Sequence, residues 1–164
     1  MSLVCKLIES PLGRLKLVAG DRGLVAILWE NEDPGRVVLD VVRHDDRLPV
    51  LGKTERQLKE YFEGKRRSFS IPLDMRGSAF QKGVWEALVT IPFGQTRTYG
   101  QLAKQLGKPR AARAVGAASG RNPLSIVVPC HRVIRLSGEL AGFAGGLEAK
   151  ALLLKIEAES RPWS

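Results

Sequence analysis

One of the two cysteines in this 164-residue chain stands directly before one of its two histidines, in IVVPCHRVIR, residues 126–135. Cysteine attacks as the thiolate, and near its unperturbed pKa of ~8.5 only a small fraction is ionised at neutral pH. A base or a positive field beside Cys130 would raise that fraction. Adjacent residues on a strand point to opposite faces, so His131 would reach the sulfur through a bridging water or a kink at Pro129. A histidine base needs a carboxylate on its other nitrogen to set the tautomer. Downstream lie Glu139, Glu148, Glu157 and Glu159, and the spacing of Glu157 from Leu153 and Leu154 puts it near the inner side of a final helix. The bland alternative is a pair of buried neighbours that does no chemistry.

A metal is a poor use for these residues. Cys5, His44, Cys130 and His131 are the whole supply of soft ligands, with no CxxC or HxxxH pair among them. A structural zinc site would need all four to converge. No metal and no cofactor are expected, and reduced thiols are the simpler state for two cysteines at opposite ends of the sequence.

Charge separates the chain into two parts. Residues 1–77 carry 14 basic and 12 acidic side chains, whereas residues 78–164 carry 12 basic and 5 acidic. Between Glu86 and Glu139 no carboxylate occurs, while Arg97, Lys104, Lys108, Arg110, Arg113, Arg121, Arg132 and Arg135 all do. A folded segment of one charge sign attracts a polyanion, most often nucleic acid. The N-terminus MSLVCKLIESPLGRLKL has no uninterrupted apolar run, and no stretch reaches membrane-spanning length. A cytoplasmic protein, held at the nucleoid through DNA, is expected.

The elements that must position these groups are partly legible. Residues 3–8, 14–19 and 23–29 are apolar or alternating runs around SPLG and read as a strand meander. RVVLDVVR, residues 36–43, is ambiguous between helix and strand. LGKTERQLKEYFEG predicts a helix over residues 51–64, ended by Gly64. KRRSFSIPLDMRGS reads as a connection, so the boundary falls near residue 76, giving an α/β domain over 1–76 and a mostly helical one over 77–164. There Ser78 and Thr98 are expected N-caps, and YGQLAKQLG, the turn at KP and RAARAVGAASG outline a helix-turn-helix. RNPLSIVVPCHRVI reads as a turn and a short buried strand, SGELAGFAGG as a loop, and LEAKALLLKIEAE as the last helix.

The second helix of that pair is unusual for a base reader. Ala111, Ala112, Ala114, Gly116, Ala117 and Ala118 offer little to the major-groove edges. Small residues suit close approach to a minor groove, and Arg113 is a single long cation among them. One reading makes Arg113 a phosphate contact. The other makes it a finger pushed into the base stack, which suits a protein that extrudes a base and must fill the gap.

PCHRVI after NPLSIVV, with YGQLA, AARAVG and the GG of GFAGG in order, resembles the O6-alkylguanine-DNA alkyltransferases, of the bacterial single-chain type. The resemblance is strong over residues 78–164 and weaker before them, in SPLG and EYFEG. It implies an RNase H-like N-terminal sheet with helices, followed by a winged-helix-like domain with a short active-site strand. It implies single-turnover transfer of an alkyl group from O6-alkylguanine, and from O4-alkylthymine, in duplex DNA to Cys130. In that scheme His131 takes the thiol proton through a water and Glu157 holds His131. Asn122 ties the turn that carries the active-site strand, and Tyr99 donates to the flipped guanine. The same resemblance puts DNA contacts at Arg113, Tyr99, Arg110, Ala112, Ala114, Gly116 and Arg121. It lines the pocket with Val133, Phe143, Ala144 and Gly145, the carbonyls of Cys130 and Val133 accepting from the guanine amino group. Phe143 and Ala144 depart from the Tyr and Ser of many relatives, so no hydroxyl points at the guanine oxygen there, and Ser125 stands where some have Pro. The implied partner is double-stranded DNA, met by a monomer that can cluster along it. A non-catalytic damage-sensing or helix-turn-helix protein is the alternative, and Cys130 argues against it. A base-specific regulator would need a reading helix and a dimerisation element. A cysteine hydrolase would leave the basic strip unexplained.

Overall fold

In the computed structural model, which describes residues 2–40, 42–138, 140 and 142–159, the first three apolar runs form strands β1 (Leu3–Ser10), β2 (Gly13–Gly20) and β3 (Gly23–Trp29). They pair antiparallel as a meander, and the short β4 (Val42–His44) adds in parallel to β1, giving the order β3-β2-β1-β4. Alternation places Leu15, Leu17, Val25 and Ile27 fully inside. Helix α1 (Pro49–Phe62) covers this sheet with Leu51, Leu58 and Tyr61. Among its described residues the ambiguous segment 36–43 holds no helix: Val42 and Arg43 belong to β4, and residues 36–40 are turn, bend or irregular. The connection after α1 returns along β3, where Leu24 N–H donates to Pro72 O at 2.8 Å and Asp74 N–H to Leu24 O at 2.8 Å. Gly23 is required at that approach, since a Cβ there would lie 2.4 Å from Pro72 O.

The chain divides into two compact units, residues 1–76 and 77–164. In the second, α2 (Ala79–Val89) and α3 (Tyr99–Gln105) each begin with a capping box, from Ser78 with Gln81 and from Thr98 with Gln101. Helix α3 ends as Gly107 N–H donates to Lys104 O and Lys108 N–H to Ala103 O, with Gly107 at φ +74°. That double bond is the Schellman stop, and Pro109 follows before α4 (Ala112–Gly120). Val115 and Ala118 turn inward, and Trp85 Nε1 donates to Ala118 O at 2.9 Å, locking α4 onto α2. Two two-residue strands, β5 (Arg97–Thr98) and β6 (Val133–Ile134), pair in parallel, and α5 (Leu147–Glu159) closes the unit. The mixed α/β architecture with a helix-turn-helix second half is the one anticipated from the sequence.

Candidate active site

Cys130 does not sit on a strand, and this corrects the local expectation. The strand is the pair Val133–Ile134 just downstream, and Cys130–Arg132 form one 3-10 turn. The reason lies in the preceding residues. Val127 N–H donates to Ser125 O at 2.9 Å across Ile126, whose φ is +76°, closing a γ-turn in the left-handed region. Cys130 N–H then donates to Val128 O at 2.8 Å, and Pro129 between them has φ −82° and ψ 65°, an inverse γ-turn. Two reversals within six residues leave no room for a ladder. Ile126 is 1 % exposed, so burial of its side chain offsets a backbone strain of roughly 1–3 kcal/mol. In a 3-10 turn successive side chains diverge by about a third of a circle instead of a half, so Cys130 and His131 do not face opposite ways.

Asn122 braces this bend from inside. Its Nδ2 donates to Val128 O at 2.8 Å and its Oδ1 accepts from Leu124 N–H at 2.9 Å. The side chain is buried, with both kinds of amide bonding in use.

His131 and Glu157 are both buried, and His131 Nε2 lies 2.7 Å from Glu157 Oε2. Glu157 also accepts from Arg132 Nε at 2.9 Å, Arg132 Nη2 at 3.0 Å and Gly94 N–H at 3.1 Å. Burial pushes its carboxyl up, but the bonds from His131 and Arg132 outweigh that and hold it at about 2. Burial takes the His131 imidazole below its ordinary value, against the opposing pull of Glu157. An ionised Glu157 only accepts, so the proton of a neutral His131 resides on Nε2. Nδ1 is then a lone-pair base, and it has no hydrogen-bond partner among the described residues.

Two residues of this site escaped the sequence reading. Arg132 was counted in the basic surface strip, yet it is 6 % exposed. Its Nη1 donates to Ile91 O at 2.6 Å, and its guanidinium lies 5.7 Å from the Phe93 ring centroid. Lys150, buried on α5, donates from Nζ to Val133 O at 2.7 Å. Burial lowers its pKa, while the nearby Cys130 charge acts the other way. The available signal was Ala149, Leu153 and Glu157 at i, i+4 and i+8: a carboxylate in an apolar stripe demands a buried cation.

The remaining expected residues fall as follows. Tyr99 opens α3, half-buried, and a Cβ on Gly116 would meet its ring at 3.6 Å, so α4 and the phenol are close neighbours. Burial raises the Tyr99 pKa, as does the charge of Cys130, whereas Arg135 lowers it. Arg113 and Ala114 are exposed on α4 and Ala112 and Gly116 half-exposed, with Arg110 and Arg121 exposed beyond its two ends. Phe143, Ala144 and Gly145 are half-buried in the loop before α5, where Gly146 N–H donates to Phe143 O at 2.9 Å. The Cys130 carbonyl accepts from Val133 N–H and the Val133 carbonyl from Lys150. Of the other thiol, Cys5 Sγ lies 3.5 Å from His44 Nδ1, and no cluster of three metal-ligating side chains exists among the described residues. Glu139, considered as a partner for His131, lies outside the described residues.

A buried thiol stands beside a buried Arg-Glu-His chain, on a unit that carries a helix-turn-helix. The comparisons make this specific. Residues 79–159 match the 6-O-methylguanine DNA methyltransferase DNA-binding domain, and residues 3–75 match the ribonuclease-like domain of the same proteins. The chain belongs to the 6-O-methylguanine DNA methyltransferase family. It is 54 % identical over 157 residues to the methylated-DNA–protein-cysteine methyltransferase of Mycobacterium tuberculosis, covering 94 % of this chain and 92 % of that one. With the protein of that name from Mycolicibacterium paratuberculosis it shares 46 % over 159 residues, covering 96 % and 93 %. Its fold superposes on a crystal structure of Mycobacterium tuberculosis OGT in complex with DNA with a TM-score of 0.86 and 41 % identity, covering 99 % of this chain and 96 % of that one.

Proposed function

We propose that this protein is a methylated-DNA–protein-cysteine methyltransferase that repairs O6-alkylguanine in duplex DNA by taking the alkyl group onto Cys130. The observation that carries the reading is the buried Arg132-Glu157-His131 chain directly behind the cysteine. His131 Nδ1 accepts the thiol proton, directly or through a water, and Glu157 stabilises the imidazolium that forms. Cys130 Sγ then attacks the alkyl carbon in line with the departing oxygen. The S–C bond forms as the C–O bond breaks, and the electron pair returns to the purine. The Tyr99 phenol, its pKa raised, stays protonated at neutral pH and can donate to the extruded base. The product is a thioether with no good leaving group, so each molecule acts once and needs no cofactor. O4-alkylthymine is a second substrate of the same pocket.

Residues 77–164 carry the transfer and DNA contacts, with residues 1–76 as a separate domain. The protein acts as a monomer that can cluster on DNA, in the cytoplasm and at the nucleoid. Among the described residues no helix is long and apolar enough to cross a membrane. The test is intact-mass measurement after incubation with a duplex containing O6-methylguanine. One added methyl per molecule, mapped to the peptide with Cys130, is expected. Lesion loss with an unaltered protein mass, or clearance of many lesions per molecule, would end the reading.

Arg113 fills the place of the extruded base from the exposed side of α4. Base extrusion costs a few kcal/mol, so Arg113→Ala is expected to slow transfer from duplex roughly tenfold or more. Transfer from the free modified base should change much less. An equal loss on both substrates would remove the finger role.

A further inference from the structure

The loop between α2 and β5, TIPFGQT at residues 90–96, carries no charged side chain, yet it grips the buried Arg132-Glu157 pair at three points. Arg132 Nη1 donates to Ile91 O, the Arg132 guanidinium lies beside the Phe93 ring, and Gly94 N–H donates to Glu157 Oε1. The transfer step described above assigns this loop no part.

The loop is itself held in shape. Gln95 N–H donates to Pro92 O at 3.1 Å, closing a four-residue turn, and Gly94 at its third position has φ +78°. A turn with positive φ at that position favours glycine. Just beyond it, Arg97 and Thr98 pair with Val133 and Ile134, the residues that follow the His131 turn. The loop is thus tied on both sides to the segment that carries Cys130 and His131.

Three charged groups act on His131: Glu157 and Lys150 from α5, and Arg132 from its own turn. Glu157 favours the imidazolium, whereas Arg132 and Lys150 oppose it. Gly94 N–H takes up part of the Glu157 charge, so less of it is left to draw a proton onto His131. Ile91 O and the Phe93 ring keep the Arg132 guanidinium on the same carboxylate, where it competes with a second cation.

We infer that the Ile91–Gln95 loop is a positioning element for the proton-accepting histidine, with Gly94 and Phe93 keeping His131 neutral through their hold on Glu157 and Arg132. The inference rests on the reading of His131 as the base for Cys130. A loop that left Glu157 its full charge would favour an imidazolium, which cannot take the thiol proton.

The test compares Gly94→Val, Gly94→Asn and Phe93→Leu in the full-length chain. Valine is strained at φ +78° and displaces the N–H, whereas asparagine tolerates that backbone. For Gly94→Val, the acid limb of the single-turnover rate on O6-methylguanine duplex is expected to move up by about half a unit to one unit. That is a rise of roughly threefold to tenfold in the apparent proton affinity of His131. Gly94→Asn should restore the wild-type limb. Phe93→Leu keeps the turn and removes the ring, so it should move the limb the same way by less. Ring-nitrogen NMR of His131 without DNA should give the same order. Gly94→Val is also expected to lower the denaturant midpoint, so rates are read where the variant is fully folded. A lowered midpoint with an unmoved acid limb would make the loop structural only and overturn the inference. A Gly94→Asn limb displaced as far as that of Gly94→Val would do the same. A wild type that gains no methyl would instead remove the parent reading, and the NMR order would still judge the loop.

Discussion

Cys130→Ser is expected to bind alkylated duplex much as the wild type does and to take up no alkyl group at all. The substitution replaces one sulfur by one oxygen at a residue that is 9 % exposed, and the bend that delivers it depends on main-chain bonds. Its chemistry changes far more than its shape. A hydroxyl is a much weaker acid than a thiol, and alkoxide is not available to a neutral imidazole near pH 7. The check is label transfer from a methylated oligonucleotide, run beside a binding titration. Label on the Cys130→Ser protein would move the nucleophile elsewhere. Loss of DNA binding together with loss of transfer would show that the variant reports on folding instead.

Glu157→Gln is expected to damage both stability and reactivity. A neutral amide cannot balance Arg132, and stripping one partner from a buried ion pair costs about 3–5 kcal/mol. For a domain with a total of roughly 5–15 kcal/mol, that is a large fraction, readable as a fall in denaturant midpoint. Independently, His131 loses the acceptor-only carboxylate that fixes its proton on Nε2 and balances its imidazolium. Transfer measured well below the variant's melting temperature should drop about 10²–10⁴-fold, the usual worth of a positioned base. A variant that reacts at the wild-type rate would leave Glu157 structural only.

The same pair sets the pH response. His131 is depressed below 6.5, so it stays neutral and basic on falling through pH 6.5, and the transfer rate should decline only at lower pH. The Glu157 carboxyl goes from an ordinary 4.5 to about 2 in the fold. A depressed acid contributes its stability fully above the unfolded value and loses it as pH falls from 4.5 towards 2. Glu157→Gln should lack that acid-sensitive component. A rate profile already falling between pH 7.5 and 6.5 would contradict a neutral, buried His131.

What could be read before folding was the part written in local rules. Apolar alternation around SPLG announced the meander, and Ser78 and Thr98 announced two helix starts, because caps and periodicity act over a few residues. The spacing of Glu157 from Leu153 correctly pointed its carboxylate inward. The route into Cys130 was hidden, since IVVP is β-branched and reads as strand, whereas the observed path needs Ile126 at a positive φ. Only the packing around Asn122 and the burial of Ile126 can hold that. Arg132 was misplaced for a related reason. In a run without carboxylates every arginine looks like surface, and its partner is 25 residues further along, on another helix. The connection through residues 65–76 has no period of its own and takes its place from β3 and from α1, whose buried Gln57 exchanges hydrogen bonds with Ser70.

The carboxylate of Glu157 serves two masters, because the helix that bears it, α5, is also held to the rest of its unit through that group. Gly94, His131 and Arg132 all fasten α5 through that one group. On the proposed mechanism, a molecule whose α5 has come undone is chemically mute as well as loose. For a protein that can be spent only once, such coupling means that half-assembled copies do not waste themselves on stray electrophiles.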